Sequence, residues 1–236
     1  MMKCLIFDMD GVILDSEPLH EEARQLMYQE MNITVDESFP NPVGRSCSGF
    51  WKEILEMLNM PGDCKECETR QYDLVAKLIE EKKVPTSDGL LEILEWAKSN
   101  NIIIGLASSS TRRLVDETLR ILKIADYFDY TVSGDEVTKK KPSPEPYLRV
   151  LELAGVSPNC AVAVEDSRSG VTSAKAAGLY CFGYVNPTSG NQDLSNADRL
   201  IQNLNEIKES YYLAIDIGAV QWPSYLRTSG KRKDDP

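Results

Sequence analysis

Short apolar runs, several of them rich in β-branched residues, alternate along the chain with longer stretches in which apolar positions recur every three or four residues. The short runs predict strands at Lys3–Phe7, Ile102–Ala107, Tyr130–Val132, Ala161–Val164 and Tyr180–Val185, with a weaker one near Arg199–Ile201. Between them, Leu90, Leu91, Leu94 and Ala97 form one helical face, and Leu114, Thr118, Leu119 and Leu122 form another after Thr111. Tyr147, Val150, Leu151 and Ala154 make a third face, stopped by Gly155, and Val171, Ala174 and Ala177 a fourth, closed by Gly178. Strands alternating with amphipathic helices pack as a parallel sheet with helices on its faces, so the expected class is α/β with a Rossmann-like parallel sheet.

One region breaks the alternation. From Ser16 to about Val84 only helical patterns occur. Ser16 is placed to cap a helix with Pro18 in its first turn and Leu19, Ala23, Leu26 and Met27 along one face. Further helices fit Phe50–Leu58, ended by Pro61-Gly62, and Glu66–Glu81, with Tyr72, Val75, Leu78 and Ile79 on one side. The simplest organisation is an all-α domain at 16–84 inserted into a core formed by 1–15 and 85–217, with Pro85 and "TSDG" as the return linker. The tail 218–236 has no sustained period and ends in charges, so it is expected to be loosely held.

Composition narrows the partners. The 236 residues are 42% hydrophobic and 27% charged, ordinary for one good-sized domain or a core with a smaller companion. A net charge of -11 repels phosphate backbones and acidic lipids, so neither a nucleic acid nor a membrane surface is expected as partner. No apolar stretch approaches the ~20 residues that span a bilayer, and the run Cys4–Phe7 is too short for a signal peptide; a cytoplasmic location is expected. Of the six cysteines, Cys4, Cys160 and Cys181 lie in strand-like runs where thiols act as small hydrophobes. Cys64 and Cys67 have the spacing of a redox or zinc half-site, but no second such pair exists and His20 is the only histidine, which favours two thiols at a helix start.

In an open parallel sheet, ligands bind beyond the carboxyl ends of the strands. Asp8 and Asp10 follow the first strand, Ser108, Ser109 and Ser110 the second, and Glu165 and Asp166 the fourth, while Lys139, Lys140 and Lys141 follow the third. Each alone reads equally well as a turn residue, a cap or a solvated charge. Together they suit phosphoryl transfer. Clustered acids repel a phosphate unless a divalent cation joins them, and Mg2+ takes a few carboxylate oxygens plus substrate oxygens and water. Asp8 and Asp166 are the natural ligands, and Asp8 is placed to attack phosphorus. Asp10, one alternation further on in a turn permitted by Gly11, suits the proton transfers, and Lys141 and Ser108 the phosphoryl oxygens.

"DMDGVILD", "GLASSS", "KKPSPEPY" and "VEDSRSG" resemble, in order and spacing, the four motifs of the haloacid dehalogenase superfamily of phosphotransferases. The helical insertion resembles that superfamily's small cap, and the chain as a whole is similar to the β-phosphoglucomutase-like group. The resemblance implies Asp8 as nucleophile, Asp10 as general acid/base, and Ser108, Ser109 and Lys141 on the phosphoryl group. It further implies an Mg2+ site of Asp8, the main-chain carbonyl of Asp10, Asp166 and Glu165. A small phosphorylated metabolite, in particular a sugar phosphate, is the implied substrate, and a monomer or weak dimer is expected.

The insertion bears on hydrolase against mutase. In the group's mutases the cap supplies an arginine shortly after a glycine and a lysine on a later helix. Here "NPVGRSCSGFW" puts Arg45 directly after Gly44 and Cys47 at the arginine's place, while Arg70 stands near the lysine position; Arg45 and Arg70 read equally well as ligands of a substrate phosphate or hydroxyl and as exposed cap charges. His20 matches a histidine near the cap hinge and is as readily structural as catalytic. An Mg2+-dependent phosphatase working through an aspartyl-phosphate is the favoured expectation. The alternatives are a β-phosphoglucomutase-type isomerase and a non-catalytic metabolite-binding protein, the latter opposed by the intact Asp8 and Asp10 pair.

Overall fold

The computed structural model describes residues 2–36, 39–42 and 46–216, without the side chains of 213–216; Arg45 and the tail beyond 216 lie outside the described residues. Six parallel strands, β1 Cys4–Phe7, β2 Ile103–Ala107, β3 Tyr130–Val132, β4 Ala161–Glu165, β5 Tyr180–Tyr184 and β6 Arg199–Ile201, lie in the order β3-β2-β1-β4-β5-β6. Every predicted strand is present, the weak one included, with ends shifted by a residue at most. The helices are α1 Glu17–Glu30, α2 Cys47–Met57, α3 Cys64–Lys82, α4 Leu90–Ser99, α5 Arg112–Ile121, α6 Glu145–Ala154, α7 Arg168–Ala176 and α8 Glu206–Asp216.

The central strand is apolar at all four positions because both its faces are covered. Leu5 and Phe7 join an apolar cluster with Ile93 and Leu94 of α4, Leu114 of α5 and Ile207 of α8. Cys4 and Ile6 join a second cluster with Tyr147 and Val150 of α6 and Val171 and Ala174 of α7. The result is a three-layer α/β/α core whose sequence reverses direction between β1 and β4, the place where such sheets open a crevice.

Helices α1 to α3 fill the interval between β1 and α4, as the pattern predicts. Leu19, Ala23 and Met27 of α1, Phe50, Trp51 and Ile54 of α2, and Tyr72, Val75 and Ile79 of α3 are buried together, in the same cluster as one face of the sheet. The segments that flank α1 to α3 meet, with the Ser87 N–H donating to the Ile13 carbonyl at 2.9 Å. Ion pairs Arg113–Asp73 (2.9 Å) and Arg120–Glu80 (3.8 Å) join α5 to α3.

Two local expectations change. Ser16 stands at the start of α1, but its hydroxyl makes no cap bond; it reaches Asp10 instead. Cys160 sits half-buried in a 3-10 turn, Pro158–Cys160, because Pro158 ends the preceding segment before the strand begins. All six cysteines are free, and Cys64 and Cys67 occupy the first turn of α3.

Candidate active site

Register brings the acids together. Phe7 pairs with Val164 across β1 and β4, and the Asp8 N–H donates to the Val164 carbonyl at 3.0 Å, so Asp8 emerges beside Glu165 and Asp166 at the reversal of strand order. The turn after Asp10 requires glycine on two counts. Gly11 has φ +79, and a Cβ there would stand 1.9 Å from Oδ2 of Asp166.

Oxygens of Asp8, Glu165 and Asp166 lie within 4.8 Å of one another, and all three residues are buried. One cation meets them: Lys141, with its side chain 3% exposed, places Nζ 2.6 Å from Oδ1 of Asp8 and 2.6 Å from Oε1 of Glu165. Glu165 also accepts from the Tyr147 hydroxyl at 2.5 Å, and Nζ of Lys141 lies 5.2 Å from the Tyr147 ring centre. Asp166 accepts from the Ser189 hydroxyl.

Three buried carboxylates against one ammonium leave the cluster short of positive charge. Burial, with Glu165 next to it, pushes Asp8 up to about 7 against the pull of Lys141. Burial and the Asp8 charge likewise push Asp166 well above the carboxylate range, although the Ser189 bond opposes this. Burial disfavours the charged form of Lys141, yet Asp8 and Glu165 outweigh it and hold the ammonium charged beyond the usual range. A divalent cation among these oxygens fits the donor set, since it supplies the missing charge and prefers hard carboxylate ligands.

Asp10 lies in different surroundings. Ser16 donates to Oδ1 and Ser110 to Oδ2, each at 2.8 Å, and Nε2 of His20 stands 3.4 Å from Oδ1. Burial alone would raise the Asp10 pKa; the bonds from His20, Ser110 and Ser16 together hold it below the ordinary value. Behind His20, the Gln71 amide nitrogen is 3.1 Å from Nδ1, and the Trp51 indole donates to Oε1 of Gln71 at 2.7 Å.

A cavity of about 720 Å³ joins the two regions. Asp8, Asp10, Lys141 and Asp166 line it, with Ser109 and Ser110 on the sheet side and His20, Cys47, Gln71 and Tyr72 on the side of α1 to α3. Ser108 lies beneath this surface, fully buried, its Oγ accepting from the Ser110 N–H at 3.0 Å. The predicted Asp8, Asp10, Ser109, Lys141, Asp166 and His20 therefore share one cavity, with Glu165 directly behind Lys141.

Arg70 does not join them. Its guanidinium donates to Glu30 at 3.1 and 2.5 Å on the surface between α3 and α1, half exposed. The buried stripe of α3 runs through Glu68, Gln71, Tyr72, Val75 and Leu78, and Arg70 is one residue out of phase with it. Site residues without a role in the sequence reading are Gln71, Trp51, Tyr147 and Ser189, and also Ser16 and Ser110, noticed there only as a cap and a cluster member. The signal for Gln71 was its spacing: it stands four residues before Val75 and seven before Leu78.

Two neighbouring carboxylates, a buried lysine and an acidic cluster able to take a cation, all on one cavity, are side chains suited to phosphoryl transfer. The comparisons agree. The chain is 33% identical over 219 residues to a phosphorylated carbohydrates phosphatase of Thermotoga maritima, covering 88% of this chain and 99% of that protein. It is 29% identical over 238 residues to a β-phosphoglucomutase of Bacillus subtilis, covering 95% and 97%. Among solved structures, that of CbbY from Rhodobacter sphaeroides in complex with phosphate superposes with a TM-score of 0.78 at 25% identity, covering 88% of this chain and 96% of that one. Among the described residues no helix is long and apolar enough to cross a membrane. Residues 5–184 match the haloacid dehalogenase-like hydrolase family, and with the relatives' coverage this places the chain in that family, as an enzyme of its β-phosphoglucomutase-like subgroup.

Proposed function

We propose that the protein is an Mg2+-dependent phosphatase of small phosphorylated metabolites, sugar phosphates above all, working through a phosphorylated Asp8. The observation that carries this reading is the pairing of Asp8 with Lys141 at 2.6 Å in a cavity that also holds Asp10 and Asp166. A carboxylate oxygen of Asp8 attacks phosphorus as the ester oxygen departs, and Asp10 in its protonated form gives that oxygen a proton. Asp10, now ionised, then takes a proton from water as the water attacks the same phosphorus, and Asp8 is freed. Lys141, Ser109 and the backbone beside Ser108 meet the phosphoryl oxygens, whose charge must be balanced in the transition state. Asp8, Asp166 and the main-chain carbonyl of Asp10, with Glu165 nearby, would hold Mg2+, which would supply charge neutralisation and alignment of the phosphoryl group. Residues 16–84 act as a cap that covers the cavity and selects what enters it.

Water rather than a second sugar hydroxyl is favoured as acceptor by Arg70. It stands near the place of the mutase lysine but is spent on Glu30 at the surface. Arg24 and Lys140 line the cavity, yet each already faces an acid, Glu21 at 2.9 Å and Glu68 at 3.7 Å. Side-by-side assays of phosphate release and isomer formation on a panel of hexose, pentose and hexitol phosphates test the proposal. Mg2+-dependent phosphate release from several of them is expected. Conversion of β-glucose 1-phosphate to glucose 6-phosphate far faster than any phosphate appears would establish a mutase instead.

A further inference from the structure

The inward stripe of α3 is apolar at Tyr72, Val75, Leu78 and Ile79, yet it begins with Glu68 and Gln71, both buried. Gln71 is 2% exposed, and an amide withdrawn from water that far costs free energy unless both its ends are satisfied. They are satisfied by two rings. The Trp51 indole N–H lies 2.7 Å from Oε1, and Nδ1 of His20 lies 3.1 Å from Nε2.

The orientation of that amide is forced rather than chosen. An indole nitrogen can only donate, so the oxygen end of Gln71 must face Trp51. Trp51 cannot turn away, being fully buried with its ring 5.7 Å from those of Tyr28 and Phe50. The amino end of Gln71 then faces His20, and an amide NH2 offers only donors, so Nδ1 must present its lone pair. In the imidazole this puts the remaining ring proton on Nε2, the nitrogen that stands 3.4 Å from Oδ1 of Asp10. Tyr72 packs edge-on against the His20 ring, with the ring centres 6.0 Å apart.

We propose that Trp51 and Gln71 are positioning residues that fix His20 as its Nε2–H tautomer and aim that proton at Asp10. His20 thereby becomes a third donor onto this carboxylate beside Ser16 and Ser110. The relay takes one residue from each inserted helix, His20 from α1, Trp51 from α2 and Gln71 from α3, so the setting of a core carboxylate depends on how all three sit. Its bearing on turnover rests on the reading of Asp10 as the proton-transfer group; its bearing on the tautomer does not.

Because His20 is the only histidine, the ring-nitrogen NMR spectrum of uniformly 15N-labelled protein reports this one side chain. The wild type is expected to show a proton-free, pyridine-like Nδ1 and a protonated, pyrrole-like Nε2. Gln71→Leu should lose this single form to a mixture of tautomers, and Gln71→Glu, which replaces the donor by an acceptor, should move the proton to Nδ1. A protonated Nδ1 in the wild type, or the same spectrum in wild type and Gln71→Leu, overturns the proposal. Trp51→Phe, which keeps the ring and loses the N–H, should broaden or shift the same signals; an unchanged spectrum there removes Trp51 from the relay.

In turnover, Gln71→Leu is expected to lower kcat on alkyl phosphates about tenfold with little change in KM, and to lower it several-fold less on an aryl phosphate, whose departing oxygen needs less protonation. An unchanged kcat on both substrates would contradict a role through Asp10. Should Asp8→Asn retain turnover while the wild-type tautomer is as stated, the proposed function falls and the relay stands.

Discussion

Two carboxylates a single residue apart in the chain, Asp8 and Asp10, live in opposite electrostatic worlds. Asp8 faces other acids across the sheet edge, and burial with Glu165 drives it up to about 7 even with Lys141 at 2.6 Å. Asp10 faces hydroxyls and an imidazole, and their bonds hold it below the ordinary range against the effect of its partial burial. The first environment favours recruitment of a cation; the second positions one carboxylate by donors drawn from the loop after β2 and from the start of α1. The two carboxylates are thus distinguished by their partners, an ammonium and a cluster of acids around Asp8 and three donors around Asp10.

The sharpest break of this comparison is in turnover. Asp8→Asn should lower kcat by at least 10³-fold on every substrate, because an amide neither attacks phosphorus nor holds a metal well. Asp10→Asn should cost on the order of 10²–10³-fold on alkyl phosphates and markedly less on an aryl phosphate, which needs less help with its leaving group. Steady-state kinetics on one substrate of each kind separates the two roles; the same profile for both variants would erase the distinction.

Stability sharpens it further. Lys141→Met leaves Asp8 and Glu165 facing each other without their cation, and should destabilise the metal-free protein by ~3–5 kcal/mol at pH 8, less at pH 5. Denaturant melts at the two pH values check this.

The two acids should also shift stability in opposite directions. Asp8 has a raised pKa in the folded state, so it binds protons more tightly there than in the unfolded chain, and its contribution falls as pH rises from about 4 to about 7. Asp8→Asn is therefore expected to raise the Tm of the metal-free protein at pH 8, and Mg2+ to raise the wild-type Tm more at pH 8 than at pH 5. Asp10 has a lowered pKa, so its contribution is present above the unfolded value and lost only as pH falls through the folded one. Asp10→Asn should lower Tm at pH 8. Tm shifts of the same sign for the two variants would contradict the contrast. The smallest effect belongs outside both regions: Arg70→Ala breaks a half-exposed pair and should change kcat/KM by less than about twofold and stability by under ~1 kcal/mol.

Much of this was legible in the chain because it is local. The four longer strands declare themselves by runs of four or five mostly apolar residues, and the acids, serines and lysine follow strand ends, where an open sheet places its ligands. What escaped depends on side-chain contacts that exist only in the packed fold, whether the partner is near or far in sequence. Ser16 has the look of a helix cap, and nothing nearby reveals that its hydroxyl turns to Asp10. Gln71 reaches His20 across 51 positions and Trp51 across 20, contacts that exist only once three helices have packed. Tyr147 reads as one more apolar position of α6, yet its hydroxyl ends on Glu165. For Arg70 the sequence left two readings open, substrate ligand or exposed charge, and the helical phase set by Tyr72, Val75 and Leu78 puts it on the surface with Glu30.

The central claim is that Asp8 carries the phosphoryl group between substrate and water. Rapid acid quench of the enzyme during turnover with a good substrate and Mg2+, followed by mass spectrometry of its peptides, tests it directly. The predicted result is one added phosphoryl group on the peptide containing Asp8, absent in Asp8→Asn and longer-lived in Asp10→Asn. Phosphate on another residue, or sustained turnover with no phosphorylated protein at any quench time, would contradict it.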